Sequence, residues 1–163
     1  MGSLISVSSP AGTYDYAYDA KHRLISKTIP GKQVEYYVYD QLDRLVLQQD
    51  GKMRLSNKWL YTKYDAYDRP IQTGFYSNGT VQTRQQLQAI FDNCTTYSCF
   101  ANLPTTPAEI LTTTTYDPAG FIGQIATITE KILLPLPNNI YTAPGVNSIT
   151  TTFTYDHRYR LKR

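Results

Sequence analysis

The chain has 163 residues, enough for one domain with a sizeable core, and a formal net charge of only +3. Its Lys and Arg residues are spread along the chain with no long run, which argues against a nucleic-acid footprint, and no stretch is long and apolar enough to cross a membrane as a helix. The aromatic content is skewed towards Tyr, with 15 Tyr against 5 Phe and 1 Trp, and Thr is heavily used at 112–115 and 150–152. Both biases favour strands with one face near solvent.

Residues 1–13 read as a lead-in or the remnant of an artificial start. They lack the charged and apolar regions of a secretory signal. Met1-Gly2-Ser3-Leu4-Ile5-Ser6 fits a myristoylation pattern, but so short a match is weak.

A repeat begins next. Tyr-Asp, three residues and an Arg recur as Tyr18-Asp19…Arg23, Tyr39-Asp40…Arg44 and Tyr64-Asp65…Arg69. Later copies are Tyr116-Asp117…Phe121, with Phe in the Arg slot, and Tyr155-Asp156…Arg160. Each copy fits a β-hairpin tip. The Asp accepts a hydrogen bond from the N–H two residues on, as in an Asx-turn. The residue before the Arg slot takes the left-handed position of a three-residue loop with a Gly-type bulge. Gly120 suits that position, Asp43 and Asp68 tolerate it, and His22 and Tyr159 fit it less well.

This register sets Asp opposite Arg in four of the five copies. One step inward it pairs Tyr18 with Leu24, Tyr39 with Leu45, Tyr64 with Pro70, Tyr116 with Ile122 and Tyr155 with Leu161. Cross-strand pairs of these kinds are worth roughly 0.2–1 kcal/mol each. Pro30-Gly31, Asp50-Gly51 and Asn78-Gly79 supply turn signals for the opposite strand ends. Residues 14–80 therefore read as an antiparallel meander with strands at Tyr14–Tyr18, Arg23–Ile29, Gln33–Tyr39, Arg44–Gln49, Leu55–Tyr64 and Arg69–Tyr76.

The repeat tyrosines lie 21, 25, 52 and 39 residues apart, so the two long gaps hold insertions. Residues 81–110 form the first. Within it Thr83–Phe91 places Leu87, Ile90 and Phe91 on one face of a short helix. A loop follows, carrying Cys94 and Cys99, the only cysteines. Residues 111–163 return to repeat strands, interrupted by a Pro-rich loop at 131–147.

The segments Tyr16-Ala17-Tyr18-Asp19…Arg23-Leu24, Tyr37-Val38-Tyr39-Asp40…Arg44-Leu45 and Leu42–Gly51, with Trp59 and Lys63-Tyr64-Asp65-Ala66, resemble the bacterial Rhs, or YD-repeat, proteins. The resemblance implies an all-β fold: an antiparallel β-meander of YD hairpins forming part of a spiral shell or barrel, here with one short inserted helix. In such proteins the shell holds a variable toxin, freed by an aspartyl protease segment, and related tenascin-like receptors use YD shells for adhesion. By that resemblance this chain is a piece of wall from a secreted or surface polypeptide. Its implied partners are adjoining repeats of the same or another chain, an enclosed toxin or effector, and secretion machinery. Adhesion or carbohydrate binding is the alternative.

Chemical sites are few. His22 and His157 fall at hairpin tips without a nucleophile or acid–base partner, and the Asp-rich tips lack the ligand spacing of calcium loops. No catalytic residue, cofactor or metal set is expected. Tyr76, Tyr97 and Tyr141 lie outside the repeats and could serve a surface site, but nothing marks them. An even pair of cysteines in a protein of extracellular origin favours a Cys94–Cys99 disulfide over two free thiols.

Overall fold

A computed structural model describes residues 2–77, 80–94, 109–118, 122–131, 148–156 and 161. The fold is all-β. Ten strands form one sheet in strict sequence order, every neighbouring pair antiparallel, and the sheet is open. The strands are β1 (Leu4–Ser9), β2 (Gly12–Tyr18), β3 (Leu24–Thr28), β4 (Glu35–Tyr39), β5 (Leu45–Gln49), β6 (Trp59–Tyr64), β7 (Pro70–Tyr76), β8 (Ile110–Tyr116), β9 (Ile125–Lys131) and β10 (Ser148–Thr152). Helix α1 (Gly51–Leu55) joins β5 to β6, and helix α2 (Arg84–Asp92) lies between β7 and β8 in sequence.

Two features, one strand pairing and one connection, depart from the sequence expectation. Residues 1–13, read as a lead-in, contain β1, which pairs along its whole length with β2 from Leu4–Ala17 to Ser9–Gly12. The alternation that would mark β1 is weak, because five of its six residues are exposed. The first edge of the sheet is thus β1 rather than Tyr14. Asp50-Gly51, read as a two-residue turn, instead starts α1: the Asp50 carboxylate accepts from Met53 N at 2.8 Å and caps the helix. Asp serves both as turn residue and as N-cap, so the dipeptide alone does not separate the two. There are accordingly two helices, not one, among the described residues, and β6 starts at Trp59 rather than Leu55.

Helix α2 forms where the apolar spacing places it. Thr83 is its N-cap, in a reciprocal capping box with Gln86. Its Leu87 and Phe91 are fully buried and, with Cys94, close over Val38, Val46, Leu47, Trp59, Tyr61 and Tyr76. Val38, Leu47, Tyr61 and Gly74 form one cross-strand row. A Cβ on Gly74 would come within 2.8 Å of the Tyr61 ring and 2.5 Å of the Glu109 carbonyl, so the row closes only around glycine. Gln88, 7% exposed, pins the helix to the sheet: its amide accepts from Tyr39 N at 3.1 Å and donates to Tyr39 O at 2.8 Å. Those two bonds satisfy a backbone unit that the β4 end leaves unpaired.

At four tips the ladder shifts by one residue. Ala17 faces Ser26 while Tyr18 faces Leu24, and the same step recurs at Tyr39, Tyr64 and Tyr116. The skipped residues are Ile25, Val46, Ile71 and Ala126, all apolar. The bulge lets each hairpin present its Tyr and its tip in the same pose.

Candidate functional site

The repeat residues assemble into one row along the tip edge of the sheet. In the first tip Asp19 Oδ1 accepts from Lys21 N and Arg23 N, both at 2.9 Å, and Oδ2 accepts from Arg23 Nε at 2.7 Å. The tips of Asp40 with Arg44 and of Asp65 with Arg69 repeat this set of bonds, again with Nε–Oδ2 at 2.7 Å. The left-handed position falls on His22 (φ 61°), Asp43 (φ 61°) and Asp68 (φ 62°). Tyr18, Tyr39 and Tyr64 pair with Leu24, Leu45 and Pro70. All three tips thus follow the spacing read from the sequence.

Each arginine also reaches into the next tip. Arg23 Nη1 donates to the Asp43 carboxylate at 2.8 Å and to Asp40 O at 3.2 Å. Arg44 Nη1 does the same with Asp68 at 2.8 Å and Asp65 O at 3.3 Å. Arg69 grips Asp117 with both Nη groups, at 2.9 and 2.8 Å. The guanidinium also lies over the tyrosine of the following repeat: Arg23 over Tyr39 and Arg44 over Tyr64 at 5.0 Å, Arg69 over Tyr116 at 4.3 Å. That tyrosine donates its hydroxyl back to the preceding hairpin, Tyr39 to Leu24 O, Tyr64 to Leu45 O, Tyr116 to Pro70 O and Tyr155 to Ile125 O. The repeat tyrosines are thereby committed to their neighbours rather than presented as a stacking platform.

These links explain the acid at positions 43 and 68. Glycine would relieve the left-handed backbone, but only a carboxylate receives the arginine of the preceding tip. The first tip carries His22 there, and no Tyr-Asp tip precedes it among the described residues. The acceptor role of Asp43 and Asp68 is a feature that tip-by-tip reading of the sequence misses. Its signal is the acid just before Arg44 and Arg69.

The fourth tip differs from expectation. Tyr116 pairs with Ile125, not Ile122, which is 85% exposed. Asp117 N donates to Gln124 O, so Gln124 stands where the other tips have Arg; Phe121, expected there, lies outside the described residues. Asp117 itself is left-handed (φ 59°), and its carboxylate accepts from Gly123 N, with Gly123 at φ 85°. In the fifth copy Tyr155 bridges Leu161 as expected. Asp156 makes an interaction there, while Gly120, Arg160 and His157 lie outside the described residues.

Electrostatics follow the bonds. The hydrogen bonds and charge of Arg69, with Gly123 N–H, hold Asp117 down at about 2. Burial pushes the Asp19 carboxyl up, but the bonds and charge of Arg23 outweigh it and leave the group below its ordinary value. Asp65 is lowered in the same way by Arg69. Burial raises the Tyr39 and Tyr64 hydroxyls. Asp19, Asp65 and Asp117 are thus held as anions by guanidinium and backbone N–H groups.

His22 is exposed on its turn. Cys94 is buried and its thiol is not free, whereas Cys99, its expected partner, lies outside the described residues, as do Tyr97 and Tyr141. Tyr76 is in the core. Among the described residues no group of three or more His, Cys, Asp and Glu could hold a metal ion, and no helix is long and apolar enough to cross a membrane. No family model matches this chain, and a search of curated proteins finds no match either.

Proposed function

We propose that this chain is a length of YD-repeat wall, an architectural segment that encloses or displays a toxin or effector part of a larger secreted polypeptide. The observation that carries the reading is the arginine relay: each of the first three repeats supplies a cation to the next tip and receives a hydroxyl bond in return. Such a unit is complete only beside another of its kind, which is the logic of a strip that grows by repetition. The open edges suit this role, because β1 and β10 are exposed and, among the described residues, each has a strand neighbour on one side only. Adjoining repeats of the same or another chain are the partners we assign, with no nucleic acid, no membrane insertion and no turnover of its own. The Cys94–Cys99 disulfide belongs to this proposal, since it suits an oxidising location.

The test is electron cryomicroscopy of the polypeptide expressed from its whole reading frame, paired with limited proteolysis. A hollow β-walled particle that shields a downstream segment from protease supports the proposal. A free-standing sheet joined by accessible linkers to separately folded domains would reject it.

A further inference from the structure

Five arginines fall among the described residues, and three of them belong to the relay. Arg54 and Arg84 do not, and neither forms an ion pair with a carboxylate among the described residues. Both line one cleft between the sheet and the segment leading into α2, with a volume of about 300 Å³. Its floor includes Tyr36 and Trp59, and its wall includes Ser26, Gln49, Asn57 and Gln82. No acidic residue lines it.

Neither guanidinium is fully used by the protein. Arg54 lies 4.8 Å over the Tyr36 ring and donates Nη2 to Val34 O, while its Nε is buried without a partner. A buried unpaired donor on a cation is uncommon; this one is closed off from solvent, so it leaves the guanidinium under-used without itself offering a contact to the cleft. Arg84 donates Nε to Tyr37 O at 2.8 Å and Nη2 to Gln88 at 3.2 Å. Burial holds its guanidinium below the ordinary value; Asp19 and Asp92 act from a distance in the other direction, and Arg23 adds to the lowering. In both residues Nη1 has no hydrogen-bond partner among the described residues.

We propose that this cleft binds a small hydroxylated carboxylate of the sugar-acid class, with Arg54 and Arg84 taking the carboxylate and Ser26, Gln49, Asn57 and Gln82 taking the hydroxyls. A pair of cations without a carboxylate ion-pair partner among the described residues selects an anion. The aromatic floor selects a body with an apolar face, and the volume, at the small end of the ligand-site range, selects one ring rather than a chain of them. No residue of the arginine relay lines the cleft, so the site is independent of the wall reading and the failure of one leaves the other standing.

Trp59 is the only tryptophan and lies between the core and this cleft, so its emission reports changes there, and the heat of binding checks it independently. The experiment titrates the full chain with D-glucuronate, D-glucose and inorganic sulfate, following Trp59 emission and heat. Expected are saturable one-to-one binding of glucuronate and at least about tenfold weaker binding of glucose, the loss of one charge-assisted contact. Arg84→Gln and Arg54→Gln should each weaken glucuronate by about tenfold. Val81 sits on the rim and is 73% exposed, so Val81→Glu should also weaken glucuronate by adding a like charge without disturbing the fold. Absence of saturable glucuronate binding by the unsubstituted chain would overturn the proposal. Equal affinity for glucose or sulfate, or indifference to Val81→Glu, would do so too.

Discussion

Arg44 spans two hairpins: its Nε holds Asp40 in its own tip at 2.7 Å, and its Nη1 holds Asp68 in the next at 2.8 Å. The two bonds differ in worth because their surroundings differ. The Asp40 side chain is 8% exposed, whereas that of Asp68 is 65% exposed. Replacing Arg44 by Ala strands a nearly buried carboxylate, for a loss of about 2–4 kcal/mol. Asp68→Asn keeps a side chain that tolerates the left-handed backbone and removes only the exposed charge, for about 0–1 kcal/mol. Urea denaturation of both variants checks the order. Equal losses would mean that the link between tips, not the tip itself, dominates.

That tip geometry was legible because one spacing encodes turn, register and charge together. Asp19, Asp40 and Asp65 each bond the same three donors, and five positions from Tyr to Arg suffice to foresee it. The relay was not legible at that level, since Arg23 and Asp43 are 20 residues apart and only strand order makes them neighbours. β1 escaped notice because an exposed edge strand shows little alternation, and α1 because Asp50 can cap a helix as readily as open a turn. The fourth tip misled because Phe121 occupies the Arg slot in sequence, while the chain puts Gln124 in that place and pairs Tyr116 with Ile125 instead of Ile122. Arg54 and Arg84 carry no motif; the packing of α1 and α2 against the sheet brings them to one cleft.

Acid should loosen the row. Asp19, Asp65 and Asp117 all titrate below the ordinary carboxylate value of 3.8, Asp117 at about 2. A depressed folded value stabilises fully above the unfolded one and is lost as pH falls through the folded one. Stability from these groups should therefore hold steady above about pH 5 and fall between about pH 4 and pH 2. Thermal unfolding across that range measures it. Asp117→Asn should flatten part of the acid limb, and an unchanged limb would show that the Arg69 contact carries no linkage.

The left-handed tip residues offer a contrast of sign. His22 is exposed at φ 61°, and no neighbouring arginine bonds it. His22→Gly should stabilise by up to about 1 kcal/mol through relief of the backbone. Asp43→Gly relieves the same strain but gives up Arg23 at 2.8 Å, so its net effect should be near zero or unfavourable. Chemical denaturation of the two variants side by side decides the point. A larger gain at position 43 than at position 22 would remove the case for Asp43 as a receiver.

Continuity of the wall is most directly read from hydrogen exchange at the two edge strands, residues 4–9 and 148–152, compared between the isolated chain and the longer polypeptide. In the isolated chain the outward amides of β1 and β10 should exchange near the rate of open backbone. In the longer polypeptide the account predicts that the same amides become as protected as those of the central strands, because further repeats pair with them. Outward amides that stay unprotected at both edges of the longer polypeptide would contradict the claim that this chain is a length of continuous wall.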